Sequence, residues 1–233
     1  MTGLIIQARM NSTRLPGKVL MPIGKKLLLE HILHRLKYKG VKAKIIVATT
    51  VKSIDDAVFA FCNAQGVGCF RGDELNVLER YYFCAKEYGF TNIVRMTGDN
   101  PFPDIDELQR LVALHKSNHN HYTECLTVLP IGVGMEIFTF CTLKRSYEEA
   151  SKPHHFEHVN EYILENMALF RHETLRIPTD KNMPKVRLTV DIPDDYELAC
   201  YVSRNADSEY VTTQEAIKLY ALYNRKEVRG GKN

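Results

Sequence analysis

Short apolar runs rich in isoleucine and valine alternate with amphipathic helical patterns along the first half of the chain. GLIIQA at 3–8 and AKIIVATT at 43–50 are two such runs, separated by the helical pattern LLLEHILHRLKYKG at 27–40. Continuous β-branched runs are typical of strands that are buried on both faces of a parallel sheet. Because strands alternate with helices, the sequence predicts a mainly parallel sheet in a three-layer α/β fold.

Several element boundaries follow from local signals. Ser53 is predicted to cap a helix over 53–66, and Asn76 to cap a helix over 76–89. After residue 118 the alternation weakens, and two strands, helices at 142–151 and 156–167 and an extended return are expected. A last strand is expected in KVRLTVDIPDD at 185–195, then a closing helix and a loose tail, RKEVRGGKN. We therefore predict one domain, 1–233, with an insertion at 118–180.

The balance of charges limits the classes of partner. The chain has 31 basic and 28 acidic residues and a formal charge of +3, too even for a pervasive nucleic-acid-binding surface. Its apolar runs are shorter than the roughly 18 residues of a membrane span, and no secretory leader is recognisable. We expect no nucleic-acid partner, no membrane insertion and a cytoplasmic location, with the six cysteines reduced.

The loop after the first strand, within IIQARMNSTRLPGKVL, concentrates positive charge among small and turn-forming residues. Arg9, Arg14 and Lys18 lie in this loop, and Gly17 gives its backbone freedom. Backbone N–H groups and cations at a strand-to-helix junction suit a polyphosphate. The loop does not match GxxxxGK[ST] or GxGxxG, and a solvated basic loop is the alternative.

Two aspartates follow apolar runs that are far apart in the chain. Asp99 ends VRMTGD and Asp191 ends VRLTVD. If both runs are neighbouring parallel strands, their carboxylates meet at one edge of the sheet, where oxygen ligands and phosphates suit Mg²⁺. The alternative is that both aspartates are turn or N-cap residues beside Pro101 and Pro193.

Four segments together resemble a known family. IIQARMNSTRLPGKVL, FRGDELNVLERYY, VRMTGDNP and VRLTVDIPDDYE, in this order, are similar to the SpsF-like cytidylyltransferases (spore coat polysaccharide biosynthesis protein F), relatives of CMP-Kdo and CMP-sialic acid synthetases. The resemblance implies a Rossmann-like, GT-A-like nucleotidyltransferase fold. It also implies Mg²⁺-dependent transfer of CMP from CTP to an acidic sugar, nonulosonic or Kdo-like, or to a related acid, with release of pyrophosphate.

The resemblance also implies roles for individual residues. Arg14, Lys18 and Asp99 would be catalytic, and Asp99 and Asp191 would hold the metal. The residues that would bind the nucleotide are Gln7, Ala8, Arg9, Ser12, Arg14, Lys18, Asp73, Asn76, Thr97 and Gly98. Glu136, His158 and Arg187 would bind the acceptor, with Glu157 a further candidate, and the insertion at 118–180 would form a homodimer.

Other interpretations remain open at this stage. A GT-A-like glycosyltransferase that uses a nucleotide sugar would normally carry a DxD-like metal-binding motif, whereas TGDNP contains a single aspartate. A catalytically silent nucleotide-binding module is a second alternative. His115, His119 and His121 lack a completing cysteine or carboxylate pair, so we predict that they are solvent-exposed rather than zinc ligands.

Overall fold

The computed structural model describes residues 1–230; residues 231–233, which belong to the predicted domain and tail, lie outside the described residues. The strands are β1 (Thr2–Gln7), β2 (Pro22–Ile23), β3 (Lys26–Leu27), β4 (Lys44–Thr50), β5 (Gly68–Gly72), β6 (Asn92–Thr97), β7 (Tyr122–Glu124), β8 (Glu136–Thr139) and β9 (His172–Thr174). The helices are α1 (Leu28–Tyr38), α2 (Asp56–Gln65), α3 (Val77–Glu87), α4 (Ile105–Ser117), α5 (Phe140–Glu149), α6 (Pro153–Glu157), α7 (Glu161–Glu165), α8 (Pro193–Asn205) and α9 (Thr213–Gly230).

Seven strands form one sheet in the order β5-β4-β1-β6-β8-β7-β9, and β2 and β3 form a separate hairpin. The pairs β1–β4, β1–β6, β4–β5 and β7–β9 are parallel, whereas β8 runs antiparallel to both of its neighbours. The predicted mainly parallel sheet is therefore confirmed. Strands from the segment 118–180 extend this same sheet beyond β6.

Alternate residues of β1 face two different hydrophobic cores. Leu4 and Ile6 pack with α1, α4 and α8 on one side of the sheet, while Ile5 packs with α3 and α5 on the other. This division follows from the two-residue period of a strand. Helices cover both faces, so the three-layer prediction is confirmed, and the loops after β1 and β6 emerge together at one edge of the sheet.

Some predicted boundaries are wrong. Ser53 does not cap α2: it starts a 3-10 turn, Ser53–Asp55, and Asp55 occupies the N-cap position of α2. Asn76 does cap α3, accepting the Glu79 N–H at 2.9 Å. The predicted helix 156–167 is replaced by α6 and α7, and α9 runs to Gly230 through the first part of the predicted tail. Within residues 1–230, no helix has both the length and the apolar character needed to cross a membrane.

The predicted exposure of the histidine cluster is wrong for His115. Its ring is 1% exposed, and its two nitrogens bond the Thr123 hydroxyl at 3.0 Å and the Asn92 side chain at 3.1 Å. Burial lowers the pKa of His115 to about 4. His115 therefore joins α4 to β6 and β7 as a neutral ring.

Stability should fall on acidification because of His115. The unfolded chain takes up a proton near the ordinary histidine pKa of about 6.5, whereas the folded chain resists it until about pH 4. Between these values the unfolded state binds more protons, so the free energy of unfolding drops by about 2 kcal/mol from pH 7.5 to pH 5. Urea unfolding of the wild type and His115→Gln at both pH values measures this, since the variant should lose that part of the pH dependence.

Candidate active site

The loop between β1 and the 3-10 turn Lys18–Leu20 is closed by its own backbone. The Gly17 N–H donates to the Met10 carbonyl at 2.8 Å, and Gly17 has a left-handed φ of 73°. A residue with a side chain adopts this conformation only with strain. The turn that follows directs Lys18 inward, so that this lysine is 7% exposed.

Two acidic residues of neighbouring segments anchor the same loop. Asp55 is 1% exposed, accepts the Met10 N–H at 2.6 Å and also accepts the Thr50 hydroxyl. Glu74 accepts the Asn11 side-chain amide at 3.0 Å, and its carbonyl accepts Arg9 at 3.4 Å. The loop is therefore held at defined points beside the ends of β4 and β5.

Removing the Asp55 anchor should destabilise the protein. Asp55→Ala leaves the Met10 N–H and the Thr50 hydroxyl without their acceptor in a buried position, which costs about 1–3 kcal/mol. Urea unfolding followed by circular dichroism measures this loss. Asp56→Ala, one residue along and exposed, is the matched control and should stay within about 0.5 kcal/mol of the wild type. Equal losses in both variants would contradict the anchoring role.

Lys18 joins the two aspartates that the sequence singled out. Its ammonium donates to Asp99 Oδ2 at 2.9 Å, to Asp191 Oδ1 at 2.8 Å and to the Val190 carbonyl at 2.7 Å. The loop cation and both carboxylates therefore meet at one point, although 81 and 173 residues separate Lys18 from the two acids.

The segment that carries Asp191 is not the predicted sheet strand. Residues 185–190 belong to none of the strands found within residues 1–230: they form an isolated bridge between Ile131 and Arg187, with the Ile131 N–H bonded to the Val186 carbonyl and the Leu188 N–H to the Ile131 carbonyl. The Val190 N–H then donates to the Asp99 carbonyl at 2.9 Å. This last bond, rather than strand pairing, sets Asp191 beside Asp99.

Positive charge surrounds Asp191. Arg187 donates to Asp191 Oδ2 at 2.6 Å, and Arg14 lies 3.4 Å from Oδ1. Burial alone would raise the pKa of Asp191, but the hydrogen bonds from Lys18 and Arg187 hold it below the ordinary value. Asp195 holds Arg187 in place at 2.9 Å and accepts the Asp191 N–H. Asp191 is therefore an ionised, oriented carboxylate.

Lys18, Asp99, Asp191 and Arg14 line a cavity of about 300 Å³. Most of the predicted nucleotide-binding and catalytic residues contribute to its wall: Gln7, Ala8, Arg9, Ser12, Arg14, Lys18, Thr97, Gly98, Asp99 and Asp191. Gly98 is required here by close packing, because a Cβ at this position would lie 2.9 Å from the Ala8 Cβ and from the Gln7 carbonyl oxygen. The ends of β1 and β6 thus approach each other closely under the cavity.

Asp73 and Asn76 lie apart from this wall. They line an adjacent depression that shares Arg9, Val77 and Glu157 with the cavity. Asp73 Oδ1 accepts the N–H groups of Leu75 and Asn76, at 2.8 and 2.6 Å. Their side chains therefore already stabilise the turn before α3, and any nucleotide contact from them remains a prediction.

The three predicted acceptor residues have different positions. His158 lines the cavity with Glu157. Arg187 does not, because its guanidinium bonds Asp191 and Asp195. Glu136 is 0% exposed, so a direct contact with an acceptor is inconsistent with its position.

The wall includes residues that sequence reasoning missed, namely Thr13, Val19, Val77 and Arg80. Arg80 is 2% exposed, and its Nη1 donates to the Asp73 carbonyl at 2.5 Å. Among the residues that the structure describes, Arg80 Nε is buried without a hydrogen-bond partner, as is Gln7 Oε1. A signal for Arg80 exists in the sequence, because it lies three residues after Val77 and four before Cys84, on the apolar stripe of α3.

The donor set around Lys18 suits a hard divalent cation. Two carboxylates and a main-chain carbonyl are the oxygen ligands that Mg²⁺ and Mn²⁺ prefer. A second group of candidate ligands, His154, His155 and Glu165, does not suit a metal. His155 Nδ1 accepts backbone N–H groups, so Nε2 carries the proton and donates to Glu165.

Comparison with known proteins identifies the family. Residues 4–226 match the family model described as cytidylyltransferase. The chain is 38% identical over 221 residues to the spore coat polysaccharide biosynthesis protein SpsF of Bacillus subtilis, covering 92% of each chain. A solved cytidylyltransferase from Leptospira borgpetersenii is 32% identical, with a TM-score of 0.88 over 96% of this chain and 95% of that one.

More distant solved structures share the fold. A CMP-2-keto-3-deoxy-manno-octonic acid synthetase complexed with CTP is 18% identical, with a TM-score of 0.62 over 87% of this chain and 98% of that one. Rv0371c of Mycobacterium tuberculosis, complexed with manganese, is 17% identical, with a TM-score of 0.57 over 85% and 97%. The fold is thus that of nucleotidyltransferases, and the chain belongs to the cytidylyltransferase family, as its sequence motifs predict.

Proposed function

We propose that this protein transfers CMP from CTP to an acidic sugar, nonulosonic or Kdo-like, or to a related acidic acceptor, and releases pyrophosphate. One observation carries the proposal: Lys18 gathers Asp99 and Asp191 beside a loop that also presents Arg9, Ser12 and Arg14. Membership of the cytidylyltransferase family and a fold neighbour complexed with CTP support the choice of nucleotide.

In the proposed reaction, the positively charged side chains of the loop would align the triphosphate and neutralise its charge. An acceptor oxygen that approaches the α-phosphorus of a triphosphate meets several negative charges, so catalysis requires alignment and charge neutralisation. Arg9, Ser12 and Arg14 would hold the triphosphate, and Arg14 and Lys18 would stabilise the departing pyrophosphate. The acceptor oxygen attacks phosphorus directly as the bond to pyrophosphate breaks, so no covalent enzyme intermediate is needed.

A divalent cation completes this proposal. Asp99 and Asp191 would hold it, and when bound it would neutralise charge on the phosphates and favour in-line displacement. We propose Mg²⁺, and the manganese complex of a fold neighbour supports a divalent ion of this class. Arg187 would orient Asp191 by holding its second carboxylate oxygen.

The nucleoside would occupy the part of the cavity nearest the strand ends. Gln7 and Ala8 lie at the end of β1, and Thr97 and Gly98 lie at the end of β6. Asp73 and Asn76 line the adjacent depression, which shares Arg9 with the cavity. Gln7 Oε1 and Arg80 Nε offer a buried acceptor and a buried donor that lack partners within the described part of the chain. Such groups favour a ligand that hydrogen-bonds them, because an unpaired buried polar atom is costly.

The acceptor would enter beside His158 and Glu157, which line the cavity together with the loop cations. The name of the Bacillus relative refers to spore coat polysaccharide, which favours a sugar. A homodimer built on segment 118–180, a single domain over 1–233 and a cytoplasmic location also remain predictions. Analytical ultracentrifugation of the wild type tests the first.

Pyrophosphate release tests the function directly. Purified protein with Mg²⁺ is offered each of CTP, UTP, ATP and GTP together with a panel of sugar acids and neutral sugars. The proposal predicts release that requires both CTP and an acidic acceptor, with a CMP-linked product of matching mass. Release with a neutral sugar alone, or transfer of a sugar from a nucleotide sugar, would contradict it.

A further inference from the structure

All three N–H donors of the Lys18 ammonium are used within the protein. They bond one oxygen of Asp99, one oxygen of Asp191 and the carbonyl of Val190, at 2.7–2.9 Å. The side chain is nine-tenths buried, so little water competes for these bonds. A lysine ammonium has three donors and no acceptor. Lys18 is therefore the cation that neutralises Asp99 and Asp191 in this structure.

The two carboxylates cannot hold both this ammonium and a divalent ion at the same point. Mg²⁺ binds oxygen at about 2.0–2.1 Å. Asp99 Oδ2 and Asp191 Oδ1, the oxygens that an ion bridging the two acids at this point would use, now contact Lys18 Nζ at 2.9 and 2.8 Å. An ion that bridges these two oxygens would occupy the space of the ammonium and repel its charge.

Lys18 differs in this respect from the two arginines near Asp191. Arg14 is 3.4 Å from Asp191, and its side chain is 62% exposed, so it does not fill the space where a metal ion would bind. Arg187 bonds the other oxygen, Asp191 Oδ2, and is held by Asp195. Of these three cations, Lys18 is the one that bridges both carboxylates.

We infer that Lys18 occupies the metal position until the phosphates of a nucleotide withdraw it, so that the free protein excludes a divalent ion that the nucleotide-bound protein admits. The inference rests on the proposed function, because it takes Asp99 and Asp191 as the metal ligands. Lysine has a flexible four-carbon stem, and phosphates in the cavity beside Ser12 and Arg14 provide new anionic partners. Nucleotide and metal then bind cooperatively, and each raises the affinity of the other by the same factor.

Mn²⁺ binding to the nucleotide-free protein tests this exchange. Electron paramagnetic resonance titrations of free Mn²⁺ compare the wild type with Lys18→Met, which removes the ammonium, and Lys18→Gln, which keeps a hydrogen-bond donor without charge. Lys25→Met, at an exposed position, is the charge-matched control. Both Lys18 variants should bind Mn²⁺ about 5- to 150-fold more tightly than the wild type, the usual range of coupling between sites. The control should match the wild type.

Thermal unfolding provides a second measurement on the same proteins. Without metal, the Lys18 variants should melt below the wild type because two partly buried carboxylates lose their cation. Added Mn²⁺ should raise the melting temperature of the variants more than that of the wild type.

The results separate this inference from the proposed function. Folded Lys18 variants that bind Mn²⁺ no better than the wild type would overturn the exchange. Pyrophosphate release by the wild type would still support the transferase in that case. Conversely, the variants could bind Mn²⁺ more tightly while the wild type releases no pyrophosphate from any nucleotide. That result would support the exchange of Lys18 for a metal ion and contradict the proposed reaction.

Discussion

Replacing Asp99 by asparagine is expected to lower kcat for pyrophosphate release from CTP by at least about 100-fold, the scale of losing one electrostatic contact to the reacting group. The amide keeps the size of the side chain but removes the charge that faces Lys18 at 2.9 Å and that would hold the metal. Steady-state rates at saturating Mg²⁺ and CTP measure the effect. Binding of CTP, followed by calorimetry, should change less, because Arg9, Ser12 and Arg14 are untouched.

Asp194→Asn is the matched control for this experiment. Asp194 lies three residues from Asp191, in the first turn of α8, and is exposed. Its amide variant should keep turnover within a factor of about two, since exposed substitutions have small effects. Turnover of Asp99→Asn near the wild-type value would refute the assignment of Asp99 as a metal ligand.

Truncating Glu136 is expected to have the largest effect on stability. Glu136 is 0% exposed and accepts Arg95 at 2.7 Å, Tyr122 at 2.5 Å and Asn160 at 3.1 Å. Arg95 and Glu136 are partners across β6 and β8, so the pair lies inside the sheet. Removing one member of a buried pair leaves an uncompensated charge and costs about 3–5 kcal/mol.

Urea unfolding of Glu136→Ala measures this cost. Glu148→Ala, which breaks the exposed pair of Lys144 and Glu148 on α5, is the control and should cost at most about 0.5 kcal/mol. The comparison also distinguishes the two roles considered for Glu136. A small loss of stability together with a raised KM for the acceptor would favour the acceptor role over the buried pair.

The sequence predicts most of the sheet because periodicity is a local property. The runs that became β1 and β4 and the helices between them need no knowledge of distant residues. The run at 185–190 shows the limit of this reasoning. Its apolar pattern is that of a strand, but whether a neighbouring strand is free to pair with it depends on the whole topology, and here it forms an isolated bridge with Ile131 instead.

The residues of the candidate site also fall into two groups, those that the sequence pattern predicts and those that it does not. Charged loop residues and acids after apolar runs are visible as a pattern, so Arg14, Lys18, Asp99 and Asp191 are predictable candidates. The burial of Glu136 cannot be predicted in this way, because a buried charge depends on partners supplied by other elements. Arg95, for example, lies 41 residues from Glu136. Single residues such as Ser53 are also ambiguous, since a hydroxyl before a helix serves equally in a 3-10 turn.

The attachment of residues 185–190 has a consequence for the two acids. Asp99 follows β6, which is embedded between two hydrogen-bonded neighbours, whereas Asp191 follows a segment tied by a few backbone bonds to Ile131 and Asp99. The backbone that carries Asp99 is therefore held more firmly than the backbone that carries Asp191. A ligand that draws the two carboxylates together moves the compliant one, so the distance between them can adapt to its occupant while the sheet under the cavity stays in place.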